Sequence, residues 1–205
     1  MRCTNQIEMA LRRRGYRYPA GVDEAGRGSL FGPVYAAAVI LNPERPIRGL
    51  NDSKQLEPEA RQALAQEVRS RALCWAVAAA SAAEIDRINI RQASRLAMRR
   101  AVAALSPPCD SLLIDAMEID WPAPQTPLIK GDARSTVIAA ASILAKVERD
   151  RSMEALDRAF PGYGIARHKG YPTPEHRDAL RRLGPTPLHR RSYAPVREAQ
   201  QLSVL

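Results

Sequence analysis

The chain has 205 residues, 45% of them apolar, enough to bury one sizeable core, most simply as a single domain with a small appendage. Its 31 Lys and Arg against 22 Asp and Glu leave a formal charge of +9, which favours a polyanionic partner such as nucleic acid, solubility alone being the bland alternative. The longest apolar runs, YAAAVIL, CWAVAAA and VIAAASILA, fall well short of the ~18 residues a membrane span needs, and the amino-terminal MRCTNQIEMALRRRGYRYPAG has no apolar signal core, so a cytoplasmic chain without a membrane partner is expected.

In chain order, AGVDEA and PVYAAAVIL read as two strands joined by the Gly-rich GRGSLFG, a hairpin-like start. EPEARQALAQEVRSRA fits a helix, with Leu56, Ala60, Ala63, Leu64 and Val68 on one face. LCWAVAAA follows as a buried strand, with Cys74 as core filling. Cys3, Cys74 and Cys109 form no Cys-x-x-Cys pair, and their odd number suits reduced thiols. Ser81 and Glu84 have capping-box spacing ahead of a helix in two pieces, broken near Asn89 and stopped by SPP. SLLID and TPLIKGD read as short strands, each ending in an aspartate, around a Pro-rich loop with Trp121. A long helix runs from Ser135 to about Phe160, and the Pro-, Gly- and Arg-rich remainder holds one short helix at about 174–183. Strands alternating with helices after a hairpin make a mixed central sheet flanked by helices the economical architecture.

Four carboxylates share a position in this scheme. Asp23 and Glu24 lie on the first strand, Asp115 ends SLLID, and Asp132 follows LIK, each where a strand meets or approaches a turn. Such positions on neighbouring strands of an open sheet converge where ligands bind. Two adjacent acids in a strand need compensation: Arg27 is one source and a metal ion another. Oxygen ligands without a Cys/His cluster suit Mg²⁺ or Mn²⁺, and two such ions can clamp a scissile phosphate. Strand-end aspartates also serve as turn formers or helix caps, and for Asp132 that alternative weighs as much. His168, His176 and His189 lack zinc spacing and read as structural or phosphate-proximal.

The motifs GVDEAGRGSLFGPVYAAAVIL, LNDSKQL, LLIDA, KGDARSTVIAAASILAKVERD, YGIARHKGYPTPEH and GPTPLHRRSYAPV, in this order, resemble those of ribonuclease HII over roughly residues 20–196. The resemblance implies an α/β ribonuclease H-like fold, a mixed five-stranded sheet with flanking helices, with a core at about 18–160 and a small C-terminal helical region at about 161–205. It implies a monomeric two-metal nuclease, using Mg²⁺ or Mn²⁺, that hydrolyses the RNA strand of RNA–DNA hybrids. It further implies cutting 5′ of single ribonucleotides in duplex DNA, leaving 3′-hydroxyl and 5′-phosphate ends.

Residue by residue, Asp23, Glu24, Asp115 and Asp132 resemble the family's metal-binding carboxylates. Gly26, Arg27 and Gly28 resemble its reader of the ribose 2′-hydroxyl, and Tyr171 the tyrosine that packs on the ribonucleotide's sugar. Asn51, Ser53 and Lys54 resemble a phosphate-binding segment, though NDSK also reads as a helix N-cap cluster. Lys146 is placed to meet the substrate backbone or to stand solvated on its helix. Ala116 departs from the glycine common after the third acid, which puts the local turn in question. The ending REAQQLSVL lacks the aromatic pair of a sliding-clamp peptide, so that partner is not expected. A nuclease limited to general hybrid hydrolysis and a non-catalytic nucleic-acid-binding module are the competing readings.

Overall fold

Runs of small and β-branched residues build the sheet in the computed structural model of the chain, which describes residues 3–202. Strands β1 (Pro19–Ala25) and β2 (Val34–Ile40) pair antiparallel, with Asp23 opposite Ala37. β3 (Cys74–Ala80) continues antiparallel on β2 and forms one edge; β4 (Ser111–Asp115) and β5 (Gln125–Leu128) extend parallel beyond β1, giving the order β3-β2-β1-β4-β5. The mixed sheet expected from the alternation is therefore present. β3 differs from expectation in one respect: as an edge strand it buries only Ala76 and Ala80 and leaves Trp75 exposed. Its Cys74 is half-buried and packs against the core, while Sγ approaches the Pro107 carbonyl.

Helices α1 (Gln6–Arg13), α2 (Pro58–Arg71), α3 (Ala82–Ala103) and α4 (Thr136–Ala159) cover the sheet. α3 packs over Val22, Ala36 and Ala38 on one face; α4, backed by α2, packs over Ala37 and Val39 on the other. The apolar run Val137–Ala145 lies buried against β1. Gly21 permits that approach, since a Cβ there would lie 2.1 Å from the Val137 carbonyl carbon. α3 carries the expected capping box between Ser81 and Glu84 and the expected break at Asn89, whose φ is 64° and whose side chain accepts from the Gln92 amide. In α2 the buried face centres on Ala65 and Val68, and Ala60 and Ala63 face outward instead of joining it.

Three further corrections concern the fifth strand, the C-terminal region and the first helix. The strand read as TPLIKGD stops at Leu128; Ile129 is exposed, Lys130 is left-handed, and Asp132 sits in a 3₁₀ turn over Gly131–Ala133. The C-terminal region holds α5 (Ile165–His168), α6 (Pro174–Leu183) and α7 (Ala194–Leu202), not one helix alone. Its apolar contacts are few: Phe31, Met153, Tyr163 and Ile165 form one cluster, and Leu30, Leu180, Val196 and Ala199 another. α1 was likewise absent from the sequence reading. Its buried Glu8 accepts from Ser135 Oγ (2.8 Å), Thr136 Oγ1 (3.0 Å) and the Val137 amide (2.9 Å), closing the α4 N-terminus, where Ser135 makes no side-chain cap of its own. Among the described residues no helix is long and apolar enough to cross a membrane. The last three residues of REAQQLSVL, the ending read as lacking a clamp peptide, lie outside the described residues.

Candidate active site

Strand alternation puts Asp23 on the same face as Gly21, toward α4, and Glu24 at the end of β1 beside the turn. β4 runs parallel beside β1 with Val22 opposite Ile114, so Asp115 comes one step beyond that pair, level with Asp23. The Gly131 amide donates to Asp115 Oδ1 at 2.7 Å, which ties β4 to the turn carrying Asp132. Asp115 is felt electrostatically by each of the other three acids.

For Asp23, Glu24 and Asp132 the balance opposes ionisation. Burial, then Glu24 and Asp115, hold the Asp23 carboxyl well above the usual range, against its bonds from the Glu24 amide (2.7 Å) and Ser142. Burial raises Glu24 despite Arg27, whose Nη1 lies 3.4 Å from Oε1. Burial, then Asp52 and Asp115, raise Asp132. Asp52 is a fifth acid that the sequence reading passed over; its carboxylate also caps the 3₁₀ turn Ser53–Gln55 by accepting from the Lys54 amide.

This set fits hard divalent cations. All donors are oxygens, their charged forms await a compensating cation, and Glu24 Oε2 is buried without a hydrogen-bond partner. Among the described residues no three such side chains form a ready ligand cage. Mg²⁺ is commonly held by one or two carboxylates with substrate phosphate oxygens completing the shell, so a preformed cage is not required.

Beside the acids, the Gly26-Arg27-Gly28 turn is built against residues far away in sequence. Gly26 has φ +96°, and a Cβ there would lie 2.0 Å from Arg149 Nε. Arg149 is fully buried, and its Nη2 donates to Ser29 Oγ and to the Lys169 carbonyl, both at 2.7 Å. The Arg27 carbonyl accepts from Arg190 Nη1 (2.8 Å) and Tyr193 Oη (2.7 Å). Arg149 and Arg190 are the principal site residues that sequence reasoning missed. Their only local signal is that each sits in a basic run, KVERDR and HRRSY, which reads equally well as solvated.

Tyr171 stands over this floor as an exposed residue, 37% accessible, with the Arg149 guanidinium carbon 5.3 Å from its ring centroid. Gly28 faces the same ring, its Cβ position 4.0 Å from Tyr171 Cε1. Lys54 lies near the acids: burial pushes its ammonium pKa down, but Asp52, Asp132, Asp23 and Asp115 outweigh that and hold it up. Asn51 makes a long contact to Gln55, and Ser53 is buried against Ser142 Oγ at 2.9 Å, so within NDSK the side chains that act on the acids are those of Asp52, which bonds Asp132, and Lys54. Lys146 is neither solvated nor free; its Nζ donates to Asp150 Oδ1 at 2.7 Å and lies 5.9 Å from the Tyr171 ring centroid. The three histidines are buried behind Tyr171, away from the acids.

Comparison with known proteins identifies the family of the chain. The family model described as Ribonuclease HII matches residues 20–196. A Ribonuclease HII of Solibacter usitatus is 61% identical over 96% of this chain and 86% of its own length, and one of Geobacillus kaustophilus is 57% identical over 97% and 76%. Among solved structures, the ribonuclease H2 of Pyrococcus horikoshii superposes with a TM-score of 0.77 at 26% identity, covering 90% of this chain and 98% of that one. A sheet of this order, acids at its strand ends and a family match across nearly its whole length place the chain in the ribonuclease HII family, as a hydrolase of the ribonuclease H type.

Proposed function

We propose that this ribonuclease H cuts the RNA strand of RNA–DNA hybrids and, in duplex DNA, cuts 5′ of a single ribonucleotide, leaving 3′-hydroxyl and 5′-phosphate ends. The observation that carries this reading is the juxtaposition of acids close enough to repel one another with a glycine turn and an exposed tyrosine. Asp23, Glu24, Asp115 and Asp132 would hold two Mg²⁺ or Mn²⁺ ions, which when bound would supply an activated water and charge stabilisation for in-line displacement at phosphorus. The chain's own residues present the substrate. Main-chain groups of Gly26, Arg27 and Gly28 approach the ribose 2′-hydroxyl where a side chain would collide, and Tyr171 packs on that sugar. Lys54, with Asn51 and Ser53 shaping its turn, neutralises a neighbouring phosphate, and Lys146 contributes positive charge beneath Tyr171. The enzyme acts as a cytoplasmic monomer of one domain.

The test is cleavage-site mapping on three duplexes at matched metal and salt: one ribonucleotide in DNA, a full hybrid, and all DNA. Asp23→Asn and Asp115→Asn are expected to lose cleavage by orders of magnitude while hybrid binding survives. Tyr171→Ala is expected to lose about tenfold to a hundredfold, most on the single ribonucleotide, the scale of about 1–3 kcal/mol for an aromatic contact to nucleic acid. Wild-type cleavage by either Asn variant would sink the metal assignment. Equal, small effects of Tyr171→Ala on both ribonucleotide substrates would leave a general hybrid nuclease.

A further inference from the structure

The three histidines of the C-terminal region form a chain of contacts that ends on the Tyr171 backbone. Their protonation can be assigned from backbone groups whose roles are fixed. His189 Nδ1 lies 3.0 Å from the Thr186 amide, which can only donate, so Nδ1 accepts and the ring's proton sits on Nε2. His189 Nε2 is 3.2 Å from His176 Nε2, which must then accept. The proton of His176 is left on Nδ1, 3.0 Å from the Tyr171 carbonyl, which can only accept. The two ends of the chain therefore demand the same direction.

His168 obeys the same logic. Its Nδ1 accepts from the Gly170 amide at 3.2 Å, its Nε2 donates to the Tyr163 carbonyl at 2.8 Å, and its ring stacks on His176 with centroids 4.4 Å apart. His176 and His189 are almost wholly buried, and burial holds the pKa of all three below its ordinary value, as neutral rings require.

We propose that His189 and His176 are positioning residues: the directed chain from Thr186 through both rings to the Tyr171 carbonyl fixes the pose of the Tyr171 ring, and with it discrimination of the single ribonucleotide. Tyr171 is otherwise held by its own amide to the His168 carbonyl (3.0 Å), by the Thr173 amide to its carbonyl (2.8 Å), and by the Arg149 and Lys146 cations against its ring. Those contacts keep the turn closed but do not tie it to the segment around Thr186. The two histidines do, and Phe31 packs edge-on to His189 beside them. This inference rests on the reading of Tyr171 given above.

The experiment has a spectroscopic arm and a kinetic arm. Long-range ¹H–¹⁵N correlation on the intact protein at neutral pH is expected to show His176 protonated on Nδ1 and His189 on Nε2. The opposite tautomer at either ring overturns the chain, whether or not any variant folds. In the kinetic arm, His176→Phe keeps a ring but removes both the donor to Tyr171 and the acceptor of His189, and kcat/KM on the single-ribonucleotide duplex is expected to fall about threefold to tenfold, the scale of the lost hydrogen bond to Tyr171. The full hybrid is expected to suffer less. His176→Asn, whose amide nitrogen can replace Nδ1, is expected to recover most of that loss. In a Tyr171→Ala background, His176→Phe is expected to cost nothing further. Undiminished loss in that background, equal loss on both substrates, or no rescue by Asn overturns the positioning role. A large, selective effect of Tyr171→Ala beside any of these results removes the relay alone, whereas equal, small effects of Tyr171→Ala remove the reader and the relay together.

Discussion

Replacing Gly26 by alanine is expected to destabilise the folded chain as well as silence it. Two costs are visible. A left-handed backbone at φ +96° is paid by a residue with a Cβ, at about 1–2 kcal/mol. The new methyl would also lie 2.0 Å from Arg149 Nε and 2.6 Å from Cδ, well inside ordinary contact, and Arg149 is fully buried with no solvent to retreat into. Moving it breaks at least one charge-assisted bond to Ser29 Oγ or the Lys169 carbonyl, worth about 1.5–3 kcal/mol. A loss of about 3–5 kcal/mol is therefore expected from urea unfolding read against the wild type. Gly28→Ala is the control: its φ is not left-handed and its methyl would only touch Tyr171 Cε1 at 4.0 Å. Its stability is expected within about 0.5 kcal/mol of wild type, while ribonucleotide cleavage falls because the methyl enters the space of the sugar. Equal stability of the two variants would refute the packing of Gly26 on Arg149.

Ala116 takes φ +53°, so Ala116→Gly is expected to stabilise by about 0.5–1 kcal/mol in urea unfolding, the relief of left-handed strain less the entropy glycine adds to the unfolded chain; a net loss would mean the turn is unstrained. The +9 charge gives duplex affinity a steep salt dependence, expected in a binding titration as a log–log slope of about −0.9 per phosphate neutralised; a flat response would remove the electrostatic account. Burial lowers His176 to about 4 and His189 to about 3 in the fold, from 6.5. Acid below about pH 6.5 therefore protonates the unfolded chain first and removes their contribution, down to about pH 3. Asp23, Glu24 and Asp132, raised in the fold, pull the other way, so the clean measurement is a difference. The advantage of wild type over His189→Gln in unfolding free energy is expected to narrow as pH falls from 6.5 to 3; a widening gap would reverse the sign of the assignment.

What could be read from the sequence was local or periodic. The strands around Asp23 and Asp115, the Ser81 and Glu84 box and the break at Asn89 each depend on neighbours a few residues away, and all are present. Asp132 was harder, because the three residues after Leu128 leave the strand and a strand pattern cannot announce a 3₁₀ turn. Arg149 and Arg190 escaped for a different reason. Their partners lie 120 and 163 positions away, and a basic run looks the same whether its arginine faces water or the floor of a site. Lys146 shows the converse: a helix lysine near the site looks available until Asp150, one turn on, is seen holding it. The histidines were set aside for lack of metal spacing, a test blind to rings that bond one another and a main-chain carbonyl.

The turn after β1 is closed from the far end of the chain. Arg190 donates to the carbonyls of Arg27 and Gly32, its own amide bonds to the Leu30 carbonyl, and the Leu30 amide bonds to the Gly170 carbonyl. Synthesis proceeds from the amino end, so the sheet and its acids leave the ribosome long before the residues that grip this turn. A half-made chain carries every one of the four carboxylates before Arg190 is present to grip the turn proposed to place a sugar. On the proposed reading, synthesis delivers the candidate metal-binding carboxylates first and the anchor of the candidate sugar-reading turn last.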